Sequence, residues 1–278
     1  MKKITILLAL LSLSCIYGRG QQIKTPPPST PQFIRQDFGL SSVELSYSRP
    51  DIRGRKIFGD LVPFGKVWRT GANQATTLSF GDTVFIGSSK IPAGKYGLLT
   101  IPGEKEWTII ITKQLDVTNA AAYLPDQDVL RLNAPVESLN APVETFTIQF
   151  DNVTANSCDL ELKWEKTAVG FHMMTDVDSR VMRDIHSVLE KDNLPYFTAA
   201  TYYLDNGKDL GKALEWFNKA IQQNPDGFFI YYQKARCEAK LGKKSEAIAT
   251  AEKSIQLARE AKNDDYVALN QKLINSLR

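Results

Sequence analysis

Histidine and cysteine are nearly absent: the 278 residues include two histidines and three cysteines. The histidines are His172 and His186, and no Cys-x-x-Cys pair occurs. That leaves no ligand set for a zinc site of Cys and His. A Ser-His-Asp triad would have to use one of these two histidines. His172 follows the last strand-like segment beside Met173 and Met174, and His186 sits inside a helical pattern beside Ile185. Both read as structural. Neither a Gly-x-Ser-x-Gly elbow nor a phosphate-binding glycine loop is present. Net charge is only +3 and the bases are not gathered into one run, so the electrostatic footprint of a nucleic-acid binder is missing. Beyond the first residues no stretch is long and apolar enough to span a membrane. Cys158 and Cys237 fall in different segments and read as small buried hydrophobes.

The N-terminus is distinctive. Lys2 and Lys3 precede the apolar run Ile4–Leu13, and Gly18-Arg19-Gly20 offers small residues for cleavage before Gln21. This is the order of a secretory signal peptide over residues 1–20. It predicts an exported protein, periplasmic or associated with the cell envelope. Cys15 offers the competing reading of a lipid-modified cysteine. Residues 21–32 include Thr25-Pro26-Pro27-Pro28-Ser29-Thr30-Pro31 and read as a proline-rich spacer.

Residues 33–170 alternate with period two. Val43, Leu45 and Tyr47 alternate with Glu44 and Ser46, and Phe146, Ile148 and Phe150 with Thr147 and Gln149. Leu160, Leu162 and Trp164 do so again. Two apolar runs, Lys95–Ile101 and Glu106–Thr112, flank Pro102-Gly103-Glu104-Lys105, a hairpin signature. Ala134-Pro135 and Ala141-Pro142 mark a loop around Val136–Asn140. Seven or eight short strands without an intervening long helix predict an antiparallel β-sandwich or jelly roll.

From about residue 170 the period changes. Val181, Met182, Ile185, Val188 and Leu189 share one helical face. Ala213–Ile221 then lines up with Ala247–Ile255 at an offset of 34 residues, the tetratricopeptide period. Small residues Ala213, Ala220, Ala235 and Ala247 allow close helix approach, while Phe217, Tyr231 and Leu241 fill gaps. Residues 178–278 therefore resemble a tetratricopeptide-like helical array, although the Trp and Gly usual in the first helix are missing. Phe228-Phe229-Ile230-Tyr231-Tyr232 is markedly aromatic. Such arrays bind along a concave face, so some of these rings are candidate anchors for a protein partner; packing between helices is the plainer account.

The stretch Ser48–Phe80 stands apart. Gly54, Gly59, Gly65 and Gly71 punctuate it, with Arg49, Arg53, Arg55, Lys56, Lys66 and Arg69 between them. Ser48-Arg49-Pro50, Gly54-Arg55, Ile57-Phe58-Gly59, Leu61-Val62-Pro63 and Trp68-Arg69-Thr70-Gly71-Ala72-Asn73 resemble a bacterial family known only as domain of unknown function number 2911. Ile91–Tyr96, Ile101-Pro102-Gly103, Trp107 and Trp164–Thr167 belong to the same resemblance. The family has no established activity, so the resemblance brings no catalytic residues, cofactor or metal. On chemistry alone, Arg49, Arg53, Arg55 and Arg69 form a candidate anion-binding rim. Trp68 with Asn73 forms a candidate sugar-stacking platform. The competing account pairs the arginines with Asp51, Asp60 or Asp82 to pin the turns. The leading expectation is non-catalytic binding or scaffolding. The alternative is a carbohydrate-active hydrolase using carboxylates near the rim.

Overall fold

The computed structural model describes residues 25–189 and 195–278. The expected signal sequence, residues 1–20, lies outside the described residues. The chain divides into two compact units that meet between Val177 and Asp178.

The described residues of the first unit form a sandwich of ten antiparallel strands. One sheet has the order β1–β2–β3–β6–β7–β8: β1 (Thr30–Phe38), β2 (Ser41–Arg49), β3 (Thr77–Phe80), β6 (Gly94–Ile101), β7 (Glu106–Thr112) and β8 (Asp128–Pro135). The other runs β5–β4–β10–β9: β4 (Val84–Ile86), β5 (Ser89–Ile91), β9 (Glu137–Asp151) and β10 (Ser157–Met174). The strand β1 opens at Thr30, inside the stretch read as spacer. Pro31 is tolerated there because β1 is an edge strand and a missing N–H costs no ladder bond. Alternate residues of both sheets meet in one core, including Leu45, Leu78, Leu98, Ile109, Phe146, Ile148, Leu160 and Leu162. The expected hairpin is β6–β7, and its unbroken apolar runs bury both faces. Leu98, Ile109 and Ile111 point between the sheets, whereas Leu99 and Ile110 pack under Val117 on the opposite face.

A single extended strand could not hold β10. At about 3.3 Å per residue, Leu160 and Gly170 would lie about 33 Å apart. Instead a Cβ on Gly170 would stand 2.8 Å from the Leu160 carbonyl oxygen. The Thr175 N–H donates to the Asn156 oxygen at 2.9 Å, and His172 bonds Asp159 at 2.6 Å. The strand therefore folds back on itself at Glu165, whose φ is +51°. Opposite the fold, Val143 pairs with Glu165 and Ser138 with Thr167. The loop expected around Val136–Asn140 is corrected to strand: β9 begins at Glu137, and Glu137 and Ser138 pair with Ala168 and Thr167, while the residues between Ser138 and Val143, which carry Ala141-Pro142, bulge out of register.

The second unit is helical: α1 (Val177–Leu189), α2 (Tyr196–Asp205), α3 (Leu210–Gln223), α4 (Phe228–Lys240), α5 (Lys244–Glu260) and α6 (Asp264–Leu277). The helices pack in sequence, α2 on α3, α4 on α5, and α5 on α6. The turns inside the first two pairs use Gly207 (φ +62°) and Gly242 (φ +76°), positions where a left-handed backbone ends a helix. Asp209 and Asn263 cap α3 and α6 by accepting from the Lys212 and Tyr266 N–H groups. Ala213, Ala220, Ala235 and Ala247 are fully buried, as close approach requires. Leu241 is instead exposed, since the turn at Gly242 carries it off the packed face.

Both described cysteines are free and buried. Burial pushes each thiol up to about 11, so neither forms thiolate at neutral pH. Cys158 and Cys237 are expected to resist alkylation in the native protein at pH 8 and to label together with unfolding, as site-resolved mass spectrometry would measure. Rapid native labelling at either site would contradict the packing described here.

Candidate functional site

The glycine-arginine stretch is a strap across one end of the sandwich. It leaves β2 at Arg49 and runs first along the outer edge of β9. There the Phe146 N–H donates to the Pro50 oxygen at 2.8 Å, and the Ile52 N–H to the Glu144 oxygen at 2.9 Å. It then crosses to the other sheet and lies beside β6, with Trp68 and Thr100 exchanging both backbone bonds at 2.7 and 3.0 Å. Between these two anchorages Ile57, Phe58 and Val62 plunge into the core. The Phe58 ring lies 4.8 Å from that of Trp107 and 6.1 Å from that of Trp164. The Glu165 carboxylate, at the fold of β10, accepts from the Ile57 and Phe58 N–H groups at 3.0 and 3.4 Å.

The rim residues do not converge. Arg49 donates to the Phe146 carbonyl at 3.2 Å and the Thr147 hydroxyl at 2.8 Å. Arg55 wraps its own turn, bonding the Ile52 and Asp51 carbonyls at 3.0 and 2.6 Å. Arg69 reaches the Thr118 carbonyl at 2.6 Å. Asn73, at φ +57°, holds the Ser29 carbonyl at 3.0 Å. The guanidinium groups therefore brace backbone carbonyls, a third arrangement beside the two weighed from the sequence. Only Arg53 follows the expected pinning, with Asp51 at 3.2 Å. The Thr145 hydroxyl, then Arg53, hold the Asp51 carboxyl below its usual range. Trp68 packs within 5.0 Å of Phe146 and stacks 5.9 Å from Trp164, while its indole N–H is used by the Gly71 carbonyl. Its face belongs to the core.

Hollows among the described residues of this unit include these two. One, of about 390 Å³, is bounded by Thr30, Gln32, Arg49, Asp51 and Thr145 beside the strap. The other, of about 260 Å³, is lined by Glu137, Asp159, Glu161 and His172. In the second, Asn152 and then His172 hold the Asp159 carboxyl low. This places His172 in a surface pair across the folded β10. Among the described residues no group of three His, Cys, Asp or Glu is placed to hold a metal.

The helical unit presents a different surface. Helices α2, α4 and α6 approach one another directly, with α4 in the middle. On α4, Phe229, Tyr232, Gln233 and Arg236 fall at i, i+3, i+4 and i+7 and are all half-buried. Phe229 meets Phe197 of α2 at 5.1 Å, and Tyr232 meets Tyr266 of α6 at 5.6 Å. Arg236 lies 6.0 Å over the Tyr232 ring and pairs with Asp205 of α2 at 3.2 Å. Ring edges thus tie three helices together, as packing alone would, yet each ring keeps an accessible side. Behind α4, buried Ser254 donates to the Phe228 carbonyl at 2.7 Å and accepts from Asn270 at 2.8 Å, fixing α5 and α6 against the start of α4.

These geometries separate two kinds of arginine. Arg49→Ala should lower stability by about 1–2 kcal/mol, because it strands a carbonyl on a strand edge. Arg55→Ala, on an exposed turn, should change it by less than about 0.5 kcal/mol. Urea denaturation measures both, and equal losses would refute the distinction. Burial also raises the Tyr47 phenol above its ordinary value of 10.0. The folded state then holds this proton more tightly than the unfolded chain. Its contribution is complete below pH 10 and should fade as pH rises through the folded value. Alkaline titration of Tyr47→Phe should lack that part of the loss.

Comparison with known proteins follows the same division. Residues 29–173, just over half of the chain, match the model of a family described as protein of unknown function, DUF2911. Residues 230–260, spanning α4 and α5, match the tetratricopeptide repeat. No curated protein matches. A crystal structure of a tetratricopeptide repeat domain protein from Salinibacter ruber is 22% identical, over 30% of this chain and 91% of its own, with a TM-score of 0.28. The chain belongs to the DUF2911 family of unknown function and carries a tetratricopeptide repeat behind its β-sandwich.

Proposed function

We propose that the protein is a non-catalytic scaffold of the cell envelope, in which the helical unit captures a protein partner and the sandwich is its folded carrier. The observation that carries this reading is the strip Phe229–Tyr232–Gln233–Arg236 on α4. Tyr and Arg dominate the energetics of protein interfaces, and these side chains are held by neighbouring helices before any partner arrives, which limits the entropy lost on binding. The tetratricopeptide match over the same helix supports protein contact. Export is supported by the basic, apolar and small residues in order over the first twenty positions; attachment through a lipidated Cys15 is the variant of that reading. A rim ligand, anionic or carbohydrate, has less behind it, because Arg49, Arg55, Trp68, Arg69 and Asn73 are committed to bonds within the fold. The hydrolase alternative is weakened in the same way, since Asp51 is taken up by Thr145 and Arg53.

The test is crosslinking and capture from envelope extracts with the full chain. Tyr232→Ala is expected to lose at least about tenfold in recovery of a specific partner while far-UV circular dichroism is retained. Arg49→Ala should bind as the parent does. Equal recovery by Tyr232→Ala and the parent would overturn the assignment of this strip.

A further inference from the structure

The two longest edges of the sandwich are treated in opposite ways. The outer edge of β9 is closed by Tyr47, Arg49 and the strap. Strand β1 pairs with β2 along its whole nine-residue length and, among the described residues, with no other strand. Unpaired strand edges template further pairing unless they are guarded. The guards here are slight. Pro31 stands near one end, and the Gln36 side chain donates to the Asp37 carbonyl at 3.0 Å. Phe33, on the exposed face of β1, is 62% exposed, the most open of the large apolar residues described. Arg35 and Asp37 share that face with side chains 60% and 87% exposed, and they sit 3.6 Å apart in a pair that solvent makes nearly worthless to stability.

We infer that β1 is a docking edge for a second copy of this chain, two β1 strands pairing antiparallel across a two-fold axis. The charges choose the copy and the register. With Gln36 opposite its own symmetry mate, Arg35 of each chain stands opposite Asp37 of the other, twice over, and Ile34 stands opposite Phe38. A two-fold contact must be self-complementary in this sense, and opposite charges directly across an antiparallel pair stabilise it. A register with Arg35 opposite Arg35 puts like charges face to face and is disfavoured. Because Pro31 falls outside the overlap of residues 34–38, its missing N–H does not obstruct pairing. Five residues a side bury less than the roughly 1,000 Å² of a durable interface, so the dimer is reversible and concentration-dependent. This inference is independent of partner capture by α4.

Sedimentation velocity of the full chain across a concentration series tests it. The parent should pass from monomer to dimer. Arg35→Asp and Asp37→Arg should each raise the dimer Kd about tenfold or more, and the double exchange should restore it. Both positions are exposed, so circular dichroism should be unchanged, and hydrogen exchange should slow at residues 34–38 as concentration rises. A monomer at every concentration would overturn the inference. So would a dimer indifferent to both reversals, or exchange protection confined to other strands, which would place any dimer elsewhere.

Discussion

An edge strand leaves every second N–H and carbonyl without a ladder partner, and β9 is the edge that this protein closes. Among the described residues no further strand covers β9. The Tyr47 hydroxyl accepts from the Ile148 N–H at 3.0 Å and donates to Gln32 at 2.8 Å. Arg49 takes the Phe146 carbonyl, and the backbone at Pro50 and Ile52 takes the next groups along. Since Tyr47 and Arg49 belong to β2 of the opposite sheet, sealing the edge also fixes the two sheets against each other. The strap then has to cross the open end of the core, and it does so with Ile57, Phe58 and Val62 turned inward. Glu165 can hold the strap only because β10 folds back at that residue. Edge, strap and fold-back are one construction.

That construction explains the composition of Ser48–Phe80. A segment that changes direction several times needs backbone in the left-handed region, and Gly54, Gly59 and Gly65 adopt it, as do Arg53, Thr70 and Asn73. Such a path leaves carbonyls pointing away from any ladder. Arginine suits them well, because its planar group carries five donors on a long stem and stays charged. Arg49, Arg55 and Arg69 each end on carbonyls, and one strand edge and two loops are thereby held.

Much of this was legible in the residues. Period-two alternation located β2 and the first half of β10, two apolar runs around Pro102-Gly103-Glu104-Lys105 located β6 and β7, and the 34-residue offset located the helical pairs. Strand β8 was legible but overlooked: Leu130, Leu132 and Ala134 alternate with Arg131 and Asn133. The fold in β10 was not, because two strand arms joined by two residues keep one hydrophobic period, and Glu165-Lys166 lacks the Asn-Gly or Asp-Gly of the favoured turns. At the rim, the residue types were readable and their partners were not. A carboxylate partner has a letter in the sequence, whereas a free carbonyl exists only once the backbone path is set. Trp68 misleads for a related reason: beside Arg69 and Asn73 it looks like a polar platform, and only the approach of Phe146 and Trp164 from distant strands shows it to be core.

The contrast between the two units follows from how each meets its backbone requirements. The sandwich closes its β9 edge and its strap with side chains from elsewhere, so its conspicuous arginines and aromatics are consumed by the fold. Helices satisfy their backbone internally except at the ends. Here Asp209 and Asn263 cap two starts, and on α4 it is Lys240 and Cys237 that bond backbone carbonyls, those of Leu204 and Leu210. Phe229, Tyr232 and Arg236 are held by contacts with α2 and α6 at their edges, and their remaining sides are answerable to no backbone group. Aromatic and cationic side chains not spent on backbone therefore accumulate on the helical unit, even though the sequence displays its most distinctive chemistry in the sandwich.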